Sequence, residues 1–254
     1  MQFERVDGGY RWDAPDDGLT SETLYGQPGT PAAAIADINY MLNGWFVRQF
    51  DDVFTLHCAA VRIGDGAVLF PAEHRAGKSL LSVALASRGH TVFGDDVIAI
   101  ERSSLSVLSL GVLPRLRLPL PPQATSPQLR RFINAHCTVA DQAHAYIDPG
   151  AHVIAAVGET CRIKAIVHLR RLNRPAAAQL GTSNAAGALR SLIRQNYSRN
   201  LPASEVFDDL CSLAGQVTCL ELSYHQVDDA VRLLEGRFAG GQPARLEEDQ
   251  HAGH

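Results

Sequence analysis

AVLFPAEHRAGKS, Ala67 to Ser79, reads as three pieces in order. AVLFP is a short continuous apolar run, the pattern of a strand buried on both faces. Residues 72–77 then break the pattern. Beyond Ser79, Leu80, Leu81, Ala84 and Leu85 recur at helical spacing, so a helix opens at Lys78-Ser79. A strand, a loop ending Gly-Lys-Ser and a helix form the order that a phosphate-binding loop requires. The physical demands can be checked residue by residue. Backbone amides must turn inward, and the helix N-terminus behind them must add its partial positive charge. Lys78 would reach the terminal phosphates, and the Ser79 hydroxyl would offer an oxygen to Mg²⁺. Gly77 lets the backbone approach closely. Ala72 replaces the first loop glycine, and Arg75 stands where a small residue is usual. A positive φ at Ala72 would cost about 1 kcal/mol. The nucleotide-binding candidates are therefore Ala72, Glu73, His74, Arg75, Ala76, Gly77, Lys78, Ser79 and Leu80. A helix start that merely carries Lys and Ser is the bland alternative, and the flanking strand and helix weigh against it.

Upstream, TLHCAAVRI, the turn Gly64-Asp65-Gly66 and AVLFP give a hairpin signal. Pairing Ile63 with Ala67 sets His57 opposite residue 73, at the mouth of the loop. Downstream, Arg88-Gly89-His90 stops the helix with glycine in the expected place. TVFGDDVIAI then supplies a strand with Asp95 and Asp96. Successive side chains on a regular strand point to opposite faces, so both carboxylates serve one site only where the strand bends or ends. One would then hold the metal and its water, and the other would take the proton of an attacking hydroxyl. The bland reading of the pair is turn capping, and of His57 a satisfied core histidine. Arg115 and Arg117, in PRLRLPLPP, are candidates for clamping an anion, with surface cover as the alternative; Arg117 is the tentative substrate contact.

The 254 residues are 46% hydrophobic and 20% charged, ordinary for a globular chain. One large domain is expected over residues 1–238, with N-terminal strands and a helix over 1–50, the loop-bearing core over 51–122 and a C-terminal α/β part over 123–238. Residues 239–254 are expected to be a disordered tail. A net charge of -4 and a pI near 6.2 argue against nucleic-acid or membrane-surface partners. No apolar run is long enough to span a bilayer and MQFERVDGGYRWD lacks a signal core, so the expected location is cytoplasmic. Cys58, Cys137, Cys161, Cys211 and Cys219 show no metal-site spacing and are expected to be free thiols.

A core-packing helix is expected over 31–50, with Ile35, Ile38, Leu42, Trp45 and Phe46 on its apolar side. Helices are also expected over 185–195, 203–214 and 227–238, and strands over 163–169 and 217–222. Residues 126–158 are poorly patterned, apart from a helix near 129–135. Arg170, Arg171 and Arg174 read as a solvated strand end.

With His57, the loop, Arg88-Gly89-His90 and Asp95-Asp96 in place, Leu56 to Ile100 resembles the catalytic core of the HPr kinase/phosphorylase family and its shorter relatives. The resemblance implies a P-loop kinase core of the type shared with phosphoenolpyruvate carboxykinases, an α/β fold with a mixed β-sheet flanked by helices. It implies transfer from ATP, with Mg²⁺, to a serine hydroxyl of a peptide or protein. Carried over, the loop and Lys78 hold phosphates, Ser79 and Asp95 hold the metal, Asp96 accepts the proton and His57 helps orient the phosphate end. The division of roles between the two aspartates stays open. The chain departs from the family in reading Ala-Glu-His-Arg within the loop and in carrying Leu80 where the bifunctional enzymes have an acidic residue. The expected activity is therefore that of a kinase without the phosphorylase reaction, closer to the shorter relatives that act on other serine-bearing molecules. Alternatives are a nucleotide-binding regulatory module without transfer, and a small-molecule kinase acting on free serine. The family permits a homo-oligomer.

Overall fold

The computed structural model describes residues 2–6, 9–13, 30–73, 75–122 and 125–240. His74 and the expected tail beyond residue 240 lie outside them. Strands β1 (Gln2–Val6) and β2 (Gly9–Asp13) pair antiparallel as a separate ribbon. Helix α1 (Pro31–Gln49) is capped by Thr30, whose hydroxyl accepts from the Ala33 amide, and has proline in its first turn.

The hairpin signal corresponds to β4 (Cys58–Ile63) and β5 (Gly66–Pro71). Ile63 pairs with Gly66 rather than Ala67, so the turn is the two residues Gly64-Asp65, with Gly64 at φ 68°. The expected register was one residue out: Cys58 pairs with Pro71, and His57 precedes β4 in a bend after β3 (Val53–Leu56). Two-residue loops of this kind match the strand twist and are favoured in hairpins.

All six residues of β5 are buried. They alternate between two cores, Val68 and Phe70 on one face and Ala67 and Leu69 on the other. Helix α2 (Lys78–Ala86) and α6 (Val227–Phe238) pack on the first face; α4 (Ala185–Arg194) and α5 (Ala203–Gln216) pack on the second. A sheet covered on both faces explains why AVLFP shows no apolar-polar alternation.

Strand β12 (Thr160–Arg171) runs parallel to β5 on one side and to β14 (Thr218–Tyr224) on the other. β4 lies antiparallel to β5, and β6 (Thr91–Gly94) antiparallel to β4, so the sheet is mixed. β13 (Gln179–Thr182) pairs with β14 at the far edge. The beginning of β12 pairs instead with β8 (Ser106–Leu108), which continues through β7 (Ile98–Glu101) to β3. A register irregularity between Ile163 and Ala165 puts these two residues in opposite cores, although strict alternation would place them together. The chain is thus mixed α/β, with a mixed sheet flanked by helices.

A smaller sheet, absent from the sequence expectations, consists of β9 (Arg115–Arg117), β11 (His144–Ile147) and β10 (Cys137–Ala140), with α3 (Pro127–His136) leading into it. Leu116 and Ala145 turn one of its faces into the core.

Candidate functional site

Strands β5, β12 and β14 run parallel, so their C-terminal ends come together at one edge. In open α/β sheets that edge is where ligand-binding loops gather. A cleft of about 820 Å³ opens there. Its walls are Glu73 and residues 75–80, the segment after β6, the face of β9 and β11, and Ala36, Asp37, Asn39 and Asn43 of α1.

The loop leaves β5 through Ala72, which is 1% exposed. Ala72 does not take a positive φ; Arg75 does, at 68°. The strain anticipated at Ala72 is carried by Arg75, at a cost of about 1 kcal/mol. The Ala76 amide donates to the Glu73 carbonyl at 3.2 Å, which folds the loop into a turn. Glu73 pairs with Arg194 of α4 at 3.3 Å, both side chains being exposed.

Gly77 caps α2 at φ 98°. The first helical bond runs from the Leu81 amide to the Gly77 carbonyl. The amides of Lys78, Ser79 and Leu80 therefore have no partner within the helix, and they point with the helix dipole toward the loop. Tyr224, at the end of β14, donates its hydroxyl to the Ala76 carbonyl at 3.0 Å. A Cβ on Gly77 would stand 2.5 Å from that hydroxyl. Glycine is thus required at this position by both conformation and space. Burial raises the Tyr224 phenol to about 12, so it stays a donor.

Lys78 is 8% exposed and donates to the Ala72 carbonyl at 2.8 Å. Burial lowers its pKa, opposed by charge interactions with Cys58, Asp95 and Asp96. The ammonium thus lies against the Ala72 carbonyl and near both aspartates.

Strand β6 ends at Gly94, so Asp95 and Asp96 lie in a bend where strand alternation no longer separates them. Asp95 is buried and its Oδ2 accepts from the Arg115 amide at 3.2 Å. Its Oδ1 is buried without a well-formed hydrogen bond. Desolvation raises the Asp95 carboxyl to about 7; the neighbouring Ser79 hydroxyl lowers it, without satisfying Oδ1, and the Asp96 charge raises it further. An orphaned buried carboxylate oxygen beside a hydroxyl is what a small hard cation would satisfy, so Ser79 and Asp95 fit Mg²⁺ in donor type. Asp96 is half exposed, and its Oδ1 stands 3.4 Å from His57 Nδ1. The His57 amide donates to the Gln195 carbonyl at 2.7 Å, which fixes the bend that carries it.

His57, Glu73, Arg75 to Leu80, Asp95, Asp96 and Arg117 all line the cleft, whereas Ala72 is buried beneath it. Arg115 and Arg171 line it too. The reading of Arg171 as part of a solvated strand end missed its place; its side chain lies close to Gly77. Tyr224 and Arg171 were absent from the candidates because both lie on strands distant in sequence. The usable signal was that they end strands which can run parallel to β5. Helix α1 was expected to pack in the core. Instead Leu42 and Trp45 are 41% and 40% exposed, and its polar residues line the cleft. His90, given no chemistry, contacts Glu235 of α6 at 3.2 Å, away from the cleft lining.

No protein-family model and no curated protein matches the chain. Among solved structures it is similar to the HPr(Ser) kinase/phosphatase from Coxiella burnetii, with 17% identity over 72% of this chain and 86% of that one and a TM-score of 0.36. That likeness is distant.

Proposed function

We propose that the chain is a phosphotransferase of the P-loop class. More particularly, it is an ATP-dependent kinase that phosphorylates a serine hydroxyl of a peptide or protein, with Mg²⁺ and without the phosphorylase reaction. The observation that supports this best is the meeting, in one cleft, of the α2 N-terminus with its lysine, a buried carboxylate with an orphaned oxygen beside Ser79, and a more exposed carboxylate paired with histidine.

In this reading Lys78 and the amides opening α2 hold the β- and γ-phosphates of ATP. Asp95 and Ser79 hold Mg²⁺, which when bound supplies charge neutralisation at the phosphates. Asp96 accepts the proton of the serine hydroxyl as its oxygen bonds to the γ-phosphorus. The bond from that phosphorus to the β–γ bridging oxygen breaks, and ADP leaves. His57 orients Asp96. Asp95 and Asp96 divide these roles by environment: the buried one has an unsatisfied oxygen to give a cation, and the exposed one has access to a substrate. Positioning and charge neutralisation supply most of the rate.

Incubation with γ-labelled ATP, Mg²⁺ and serine peptides tests this. Transfer should fall at least ~100-fold in Asp96→Asn, the usual scale for losing a general base. Undiminished transfer in that variant would remove Asp96 from its role. Mg-ATP binding with no transfer by either protein to any acceptor would favour the regulatory module, to which the altered loop residues Ala72 and Arg75 also point.

A further inference from the structure

The wall of the cleft facing the loop carries chemistry that nucleotide binding does not use. In the β9–β11 pair, Arg115 stands opposite Tyr146, and Arg117 opposite His144. Between them Leu116 and Ala145 are opposite each other and turn into the core. Strand alternation therefore places Arg115, Arg117, His144 and Tyr146 on one face, and all four line the cleft. The face is built rather than incidental. Tyr146 is 2% exposed, and burial raises its phenol, opposed by the neighbouring Arg115 guanidinium and the Asn39 amide of α1. Burial, then the charge of Arg115 and more weakly that of Arg117, hold the His144 imidazole below its ordinary value, opposed by Asp141.

Among the described residues neither Arg115 nor Arg117 forms a salt bridge. Three nearby acids are engaged elsewhere, while Asp37 of α1 also lines the cleft and forms a salt bridge with neither arginine. Asp141 accepts from Thr30 and from the amides of Ala143 and His144. Asp95 takes the Arg115 amide, and Asp96 lies against His57. Two guanidinium groups two residues apart, beside a buried phenol, make a platform suited to a planar or tetrahedral oxyanion. The Arg115 amide bonds Asp95 directly, so this platform adjoins the carboxylates assigned to the transfer step.

We propose that the β9–β11 face is the docking subsite for the acceptor, and that the acceptor carries a carboxylate or phosphate within a few bonds of its hydroxyl. A serine at a free C-terminus, or one beside an acidic or phosphorylated residue, has that chemistry; a serine flanked by neutral residues does not. The inference rests on the kinase reading for its meaning, but the anion subsite can be tested apart from it.

The full chain is saturated with Mg²⁺ and a non-hydrolysable ATP analogue, which fills all three phosphate positions. N-acetyl-L-serine, N-acetyl-L-serinamide and inorganic phosphate are then titrated separately, following the His144 ring resonance, assigned with His144→Gln. N-acetyl-L-serine or phosphate should shift that resonance saturably, and the amide should bind at least ~10-fold more weakly. Whichever of the two anions binds more tightly identifies the oxyanion as carboxylate or phosphate. Arg117→Gln should weaken the anion at least ~10-fold, Arg117→Lys less, and neither should change analogue affinity more than ~2-fold. An amide that binds as tightly as the tighter of the two anions, no shift with either anion, or a large loss of analogue affinity in Arg117→Gln would overturn the proposal, the last by giving the platform to the nucleotide. If the analogue does not bind at all, the kinase reading fails, and the same titration on nucleotide-free protein still decides the subsite.

Discussion

Gly77 and Tyr224 show how narrowly the loop is determined at the level of single residues. Any side chain at residue 77 meets the Tyr224 hydroxyl and must also adopt φ 98°. Gly77→Ala should therefore destabilise the fold by about 1–3 kcal/mol and weaken Mg-ATP binding at least ~10-fold. Tyr224→Phe keeps the packing and removes only the bond to the Ala76 carbonyl. It should cost about 1–2 kcal/mol in urea denaturation and weaken the nucleotide only several-fold. Similar nucleotide affinity in wild type and Gly77→Ala would show that this close approach has no part in binding. Asp95 gives a pH prediction. Its carboxyl is raised in the folded state to about 7 from an ordinary 3.8, so the native chain retains a proton that the unfolded chain has lost between those values. Its contribution is full below the unfolded pKa and is lost as pH rises toward 7, at up to about 1.4 kcal/mol per pH unit. In metal-free buffer, Asp95→Asn should flatten that part of the stability profile, as measured by denaturant midpoints from pH 4 to 8. An unchanged profile would mean that Asp95 is not held protonated.

The strand-loop-helix unit was legible because each of its elements is locally patterned. β5 is apolar throughout, α2 has apolar residues at helical spacing, and Gly89 with φ 85° ends it. Leu81 is fully buried beneath α2, in the core that Phe70, α6 and β14 share. Leu81→Ala should cost about 2–5 kcal/mol and lower Tm, as seen by calorimetry. A loss under 1 kcal/mol would mean that α2 is not anchored there. Other elements were illegible for physical reasons. β10 is nowhere fully buried and β9 is three residues long, so neither has a period long enough to read. In β12 the irregularity near Lys164 interrupts the alternation that would have shown which side chains share a face. α1 puts polar side chains toward a cleft and leaves Leu42 and Trp45 exposed, contrary to the usual meaning of an apolar stripe.

At the scale of the whole molecule, the site is a product of parallel pairing. Residues 75–80, Arg171 and Tyr224 meet because β5, β12 and β14 end at the same edge, and no local pattern encodes that pairing. The hairpin signal put His57 at the mouth of the loop, and His57, the loop and both aspartates line one cleft although the expected register was one residue out. It could not place Arg115, Tyr146 and His144 on the facing wall, which depends on the small sheet. Among the described residues no helix is long and apolar enough to cross a membrane, and the five cysteines are free. All of the proposed chemistry depends on the loop at the end of β5 holding a nucleotide through Lys78. The most direct test is the equilibrium affinity for Mg-ATP, by titration calorimetry, of the wild-type chain and Lys78→Ala at matched stability. A saturable wild-type isotherm that weakens at least ~10-fold in the variant is expected from losing a charge-assisted contact to phosphate. No binding by the wild type, or equal affinity in the two, would contradict it.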